Sequence, residues 1–145
     1  MSQEVALSPP EALFTLTTDQ WTAPFWESAK RRKLVAPKCA ECGTFRMPPT
    51  PFCPSCLSQE LEWPILSGRG TIYSFSVVRS AIVPQMEGCL PYVPALVEPD
   101  DANGVRLITN VVGVPLDRIT VGAAVTVVWD ERRDGIVVPR FTLVA

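Results

Sequence analysis

Four cysteines, Cys39, Cys42, Cys53 and Cys56, follow the spacing C-x2-C-x10-C-x2-C. Each Cys-x-x-Cys pair can aim two sulfurs at one point, and two pairs this close together supply the four thiolates of a tetrahedral ion. Gly43 follows the first pair and can provide the positive φ of a tight turn, while Pro54 and Ser55 fill the second. A lone pair would also fit a thioredoxin-like redox site, but that fold needs a βαβ surround, and two pairs point to a ribbon. The expected ion is a structural Zn2+, with iron as the alternative occupant of the same sulfurs. A site closed by four protein thiolates leaves no position for an activated water, so the metal is expected to hold the fold and do no hydrolysis.

Composition limits what can surround such a ribbon. The chain has 145 residues, enough for one ordinary domain or two very small ones. Nearly half are apolar, yet 15 prolines and 8 glycines interrupt them, so the elements should be short and a long helical bundle is excluded. Thirteen basic residues against 15 acidic ones give a net charge of -2, which disfavours nucleic acid as a partner. No run approaches the roughly eighteen apolar residues of a membrane span, and Met1 to Pro10 has neither a basic start nor an apolar stretch. A soluble, cytoplasmic protein with no membrane partner is expected, the compartment in which paired cysteines bind metal.

The chain divides into an N-terminal arm or linker (1–21), a short helix plus zinc ribbon (22–66) and a β-barrel (67–145). In the arm, Ser8-Pro9-Pro10 is punctuation, and Leu13, Phe14 and Leu16 fit one or two helical turns. A helix is expected from Thr22, with Thr22 as its cap, Pro24 in its first turn, Glu27 near its start and Phe25, Trp26 and Ala29 on one side. The cations Lys30 to Lys33 suit its C-terminus, and Leu34-Val35-Ala36 reads as a strand entering the first cysteine pair. From Gly68 the pattern alternates with period two, clearest over Thr71–Val78, with further strands over Tyr92–Glu98, Val105–Val114, Ala124–Asp130 and Ile136–Leu143. Glu131 to Gly135 forms a hairpin loop between the last two. The expected fold is mainly β: N-terminal short helices, a rubredoxin-like zinc ribbon and a C-terminal five-stranded OB-fold barrel, with a small sandwich as the alternative.

Groups that could do chemistry are scarce. There is no histidine, the commonest general base. Cys89 is the one thiol outside the cluster, nothing near it in sequence would lower its pKa, and it reads as a small buried hydrophobe. Asp100-Asp101 and Asp130-Glu131 fall where turns are expected. A binding role follows. Phe14, Trp21, Phe25 and Trp26 are candidates for a docking surface, as are Phe45, Arg46 and Met47 at the ribbon tip. A single-stranded nucleic-acid-binding ribbon and barrel is the alternative function, although its basic groove is missing from the sequence.

Several segments together resemble the zinc-ribbon/OB-fold proteins that accompany thiolase-like enzymes. They are Pro24-Phe25-Trp26-Glu27, the two cysteine pairs, Pro48-Pro49, Leu61-Glu62-Trp63, Ser67-Gly68-Arg69-Gly70-Thr71 and Pro91-Tyr92-x-Pro94-Ala95-Leu96-Val97. The resemblance runs from about residue 22 to the C-terminus and leaves the first twenty residues as a linker or part of a preceding domain. It implies a subunit without activity of its own, required by an acyl-CoA thiolase or by a thiolase-fold aldolase that shortens steroid side chains. Such a subunit would form a hetero-oligomer with the enzyme, and acyl-CoA would lie at or near the interface, in a channel the subunit helps to shape. In some relatives the module is fused behind an enoyl-CoA hydratase. On this reading Arg31 and Arg32 are candidates for contact with coenzyme A phosphates, a solvated helix end being the plainer alternative.

Overall fold

A computed structural model describes residues 4–13 and 15–144; Phe14, part of the expected arm helix, lies outside them. Short-range turn chemistry and strand alternation account for most of the architecture. The helix α1 (Ala23–Lys30) buries Phe25 and Ala29, four residues apart on one face, and Trp26 meets the Phe25 ring edge-on at 5.1 Å. Its cap differs from expectation. Thr22 makes no side-chain cap bond; Asp19 Oδ1 instead accepts from the Trp21 and Thr22 N–H groups and from the Thr22 hydroxyl. A carboxylate three residues upstream reaches the free N–H groups that a threonine in helical φ/ψ cannot.

The helix ends in a Schellman turn. The Lys33 N–H donates to Ser28 O at 3.0 Å and the Arg32 N–H to Ala29 O at 2.9 Å, with Arg32 at φ 57 where glycine is usual. Leu34, Val35 and Ala36 are buried but form no strand; Val35 makes one bridge to Ile65, and Leu66 N–H donates to Leu34 O. The run is used to seat the ribbon on the core. The ribbon's own sheet is the antiparallel pair β1 (Lys38–Cys39) and β2 (Leu61–Glu62), extended by a bridge from Lys38 to Phe45.

Strands β3 (Arg69–Phe75), β4 (Val93–Pro99), β5 (Leu107–Val111), β6 (Ala124–Glu131) and β7 (Val137–Leu143) close a barrel in the order β3-β4-β5-β7-β6, which removes the sandwich alternative. Closure comes from the parallel meeting of β5 and β7 at Val111 and Phe141. Ile72, Val93, Val97, Val111, Val125 and Phe141 point inward and are fully buried. Gly70 is required by this packing: a Cβ there would sit 2.6 Å from the Glu98 carbonyl oxygen across the ladder. The expected strand over Thr71–Val78 stops at Phe75; its register shifts between Ile72 and Ser74, with Ile72 facing the core and Tyr73 facing outward. Val78 keeps only a bridge to Tyr92.

Residues 4–7 continue the barrel's backbone bonding. Ala6, 2% exposed, donates to Val114 O and accepts from Gly113 N–H, both at 2.9 Å. Leu7 N–H donates to Pro91 O, Leu116 N–H to Glu4 O, and Arg79 pairs with Glu4 at 2.7 Å. No helix among the described residues is long and apolar enough to cross a membrane.

Candidate metal centre and neighbouring cleft

The two cysteine turns are built alike. In the first, Cys39 N–H donates to Thr44 O at 2.8 Å and Gly43 N–H to Cys39 O at 3.0 Å; in the second, Cys53 N–H donates to Ser58 O and Leu57 N–H to Cys53 O, both at 2.9 Å. Each turn presents one buried sulfur, Cys39 or Cys53, and one exposed sulfur, Cys42 or Cys56. All four Sγ atoms lie within 4.8 Å of one another, with Cys39–Cys56 at 3.6 Å and Cys42–Cys53 at 3.5 Å. Tetrahedral metal–sulfur bonds of about 2.3 Å place sulfurs about 3.8 Å apart, whereas a disulfide needs about 2.05 Å. The sulfurs are therefore positioned to bind one metal ion.

Electrostatics supports the same assignment. Donation from the Cys56 and Ser55 N–H groups outweighs burial and lowers the Cys53 thiol to about 6, and the Cys42 N–H likewise lowers Cys39. Cys56 goes the other way. The Ser58 N–H pulls its pKa down, but burial and three neighbouring sulfurs push it up to about 12. Four thiolates at these separations repel one another, and a divalent cation is what lets all of them ionise together.

The other candidate residues are dispersed. Arg31 is exposed, and Arg32 Nη2 pairs with Glu131 Oε2 at 3.2 Å, both partners being about half exposed. The ribbon-tip expectation needs correction: Arg46 is only 5% exposed and its Nε donates to Thr50 O, while Phe45 and Met47 pack against the core and Lys38 Nζ lies 5.8 Å from the Phe45 ring centre. Phe25 is buried and Trp26 partly so, which spends those aromatics on the chain's own core. Cys89 is half-buried in the loop after Met86, its thiol outside the metal cluster.

A cleft of about 620 Å³ opens between α1, the Met47–Pro49 turn and strands β5 and β7. Phe25, Trp26, Tyr92 and Ile108 supply apolar wall, and Arg106, Arg132 and Arg140 also line the cleft, ion-paired with Glu98, Asp134 and Asp130 at 3.5, 3.3 and 3.4 Å. Arg140 Nη1 donates to Asn110 Oδ1 at 2.7 Å and Nε to Asp130 Oδ2 at 3.4 Å. Burial lowers its pKa against the opposing pull of Asp130, yet an arginine stays a cation. This cleft was missed in sequence because its lining comes from separate segments of the chain. One signal was present: Ile108 stands out of phase with Leu107, Thr109 and Val111 and is 81% exposed. Of the barrel's aromatics, Tyr73 lies beneath the Arg106 guanidinium at 3.9 Å and Phe75 and Trp129 pack against the core.

Two family models match. One, described as the ChsH2 rubredoxin-like zinc ribbon domain, covers residues 26–62, and the other, the ChsH2 C-terminal OB-fold domain, covers 63–130. A protein of Thermomonospora curvata named "Probable enoyl-CoA hydratase alpha subunit" is 42% identical over 118 residues, 81% of this chain and 36% of that protein. The "3-oxo-4,17-pregnadiene-20-carboxyl-CoA hydratase alpha subunit" of Mycobacterium tuberculosis is 32% identical over 125 residues, 86% of this chain and 39% of that one. The chain thus spans little more than a third of these two relatives. A "DUF35 domain-containing scaffold protein" of Methanocaldococcus jannaschii is 30% identical and matched over 89% of its length, against 84% of this chain. Among solved structures, a chain of the "Ltp2-ChsH2(DUF35) aldolase" superposes with a TM-score of 0.80 at 36% identity, over 89% of this chain and 98% of that one. A DUF35 protein of unknown function from Sulfolobus solfataricus shares the fold, with a TM-score of 0.62 at 18% identity over 88% of this chain and 87% of that one.

Proposed function

The chain belongs to the ChsH2 family of zinc-ribbon and OB-fold proteins, and from that premise we propose that it is a non-catalytic subunit assembling with a thiolase-fold acyl-CoA enzyme in the cytoplasm. The observation that carries the reading is its near full-length likeness to one chain of an aldolase named for two components, Ltp2 and ChsH2. Two further relatives are named alpha subunits, and the named substrate of one is a steroid-derived acyl-CoA. Their hydratase activity is named for proteins of much greater length; this chain has no histidine to serve as a general base, and the metal site among the described residues is closed by four thiolates.

In this reading the subunit helps to form the acyl-CoA channel. A cleft of about 620 Å³ with apolar walls and three arginines suits an apolar acyl chain attached to a phosphate-bearing carrier. Arg31 and Arg32, outside that cleft, are assigned to the carrier's phosphates as a second basic surface. Four thiolates bind Zn2+, which fastens the ribbon and takes no part in the reaction.

The test is a pull-down of the tagged chain from its native host with mass spectrometry of the co-purifying proteins. A thiolase-like protein in near-equal amount is expected, and the recovered enzyme should bind acyl-CoA more weakly after removal of this subunit or after joint change of Arg31 and Arg32 to Gln. Recovery of nucleic-acid proteins, or of nothing, would overturn the assignment.

A further inference from the structure

The matched cysteine turns differ at one position. Gly43 closes the first with φ +79, and Leu57 closes the second with φ +65. Because both make the same N–H bond to the carbonyl of their turn's first cysteine, the backbone demand is the same, and a leucine there is strained where glycine is not. Its side chain obtains nothing from the chain's own core: Leu57 is 72% exposed, and Phe52, just before the same cysteine pair, is 56% exposed. Arg32, the other left-handed non-glycine residue among the described residues, forms an ion pair with Glu131. Leu57 has no comparable contact among the described residues.

We infer that the second cysteine turn is a contact surface for a partner protein, with Leu57 and Phe52 inserting into an apolar hollow rimmed by lysine or arginine. The charge around them chooses the occupant. Glu41 and Glu60 are exposed and make no ion pair among the described residues, and four thiolates around a divalent ion carry a net negative charge. An acidic face with two apolar side chains repels nucleic acid and a second copy of itself, and it complements a basic rim. The inference rests on the accessory-subunit reading, and it places the second cysteine turn in that subunit's contact with the enzyme.

The experiment measures binding of the zinc-loaded chain to the thiolase-like enzyme recovered with it. Leu57→Gly and Phe52→Ser are each expected to weaken binding at least tenfold, while Leu57→Gly raises the melting temperature of the free chain by removing strain. Ile82→Ser, on an exposed barrel loop, is the control and should bind as the unaltered chain does. Changing Glu41 and Glu60 together to Lys should also weaken binding, and unchanged affinity there would overturn the basic rim. Binding retained within twofold by both Leu57→Gly and Phe52→Ser would overturn the inference while leaving the accessory reading standing. Dimerisation of the free chain that Leu57→Gly abolishes would overturn it in favour of a second copy. If the unaltered chain recovers no thiolase-like enzyme, the accessory reading falls and the inference falls with it.

Discussion

At the residue scale the cysteines divide by environment. Cys53, its pKa lowered to about 6 by the Cys56 and Ser55 N–H groups, is largely a thiolate near neutral pH, whereas Cys56 near 12 reaches that state only beside a cation. Protons and metal compete for the same sulfurs, so the ion is held at higher pH and released on acidification. Titration with a chromophoric chelator should show release on acidification and none on raising the pH to 8. Cys53→Ser should purify without stoichiometric metal, and Cys89→Ser should keep it, because only the former removes a ligand. Serine in place of Cys53 retains the hydrogen-bonding turn but not the soft thiolate that zinc selects.

Among the elements, α1 shows how a local rule can be right in kind and wrong in residue. An N-terminal cap was legible from polar residues before an apolar run, and Thr22 was the nearest; the structure gives the task to Asp19, whose Oδ1 accepts from two backbone N–H groups at 2.9 Å. Those bonds favour the ionised carboxylate, and the Thr22 N–H is the strongest of them, so the Asp19 pKa lies below its usual 3.8. A lowered folded pKa means stability present above the unfolded value and lost as pH falls through the folded one. Asp19→Ala should therefore lower the melting temperature at pH 7, and the difference should shrink towards zero as the pH is brought well below 3.8, as followed by circular dichroism. Thr22→Val should produce the smaller loss at neutral pH, since its hydroxyl supports Asp19 without capping the helix.

For the whole molecule, the arm, the ribbon and the barrel are bound by contacts far apart in sequence. Residues 4–7 make four backbone hydrogen bonds to the Pro91–Leu116 segments, at about 1 kcal/mol net each, and the exposed Arg79–Glu4 pair adds little. Deletion of the first seven residues should lower stability by roughly 2–4 kcal/mol in urea without loss of bound metal, since no ligand lies in the arm. The cysteine spacing, the five strands and the hairpin loop read over Glu131–Gly135 could be read from residues alone, because turn chemistry and period-two alternation act over a few positions. Short-range rules could not place Leu34–Ala36, buried without a ladder, or the register shift between Ile72 and Ser74 within β3, because neighbours from other strands decide both. Nor could they decide which ribbon side chains face outward. Arg46 and Phe45 turn into the fold and Phe52 and Leu57 out of it, because the direction of a loop side chain depends on where the rest of the fold lies. The sequence by itself pointed to the four thiols that gather into one cluster and to the barrel's strands; tertiary packing alone decided the cleft and the exposed face, since both join residues that only folding brings together.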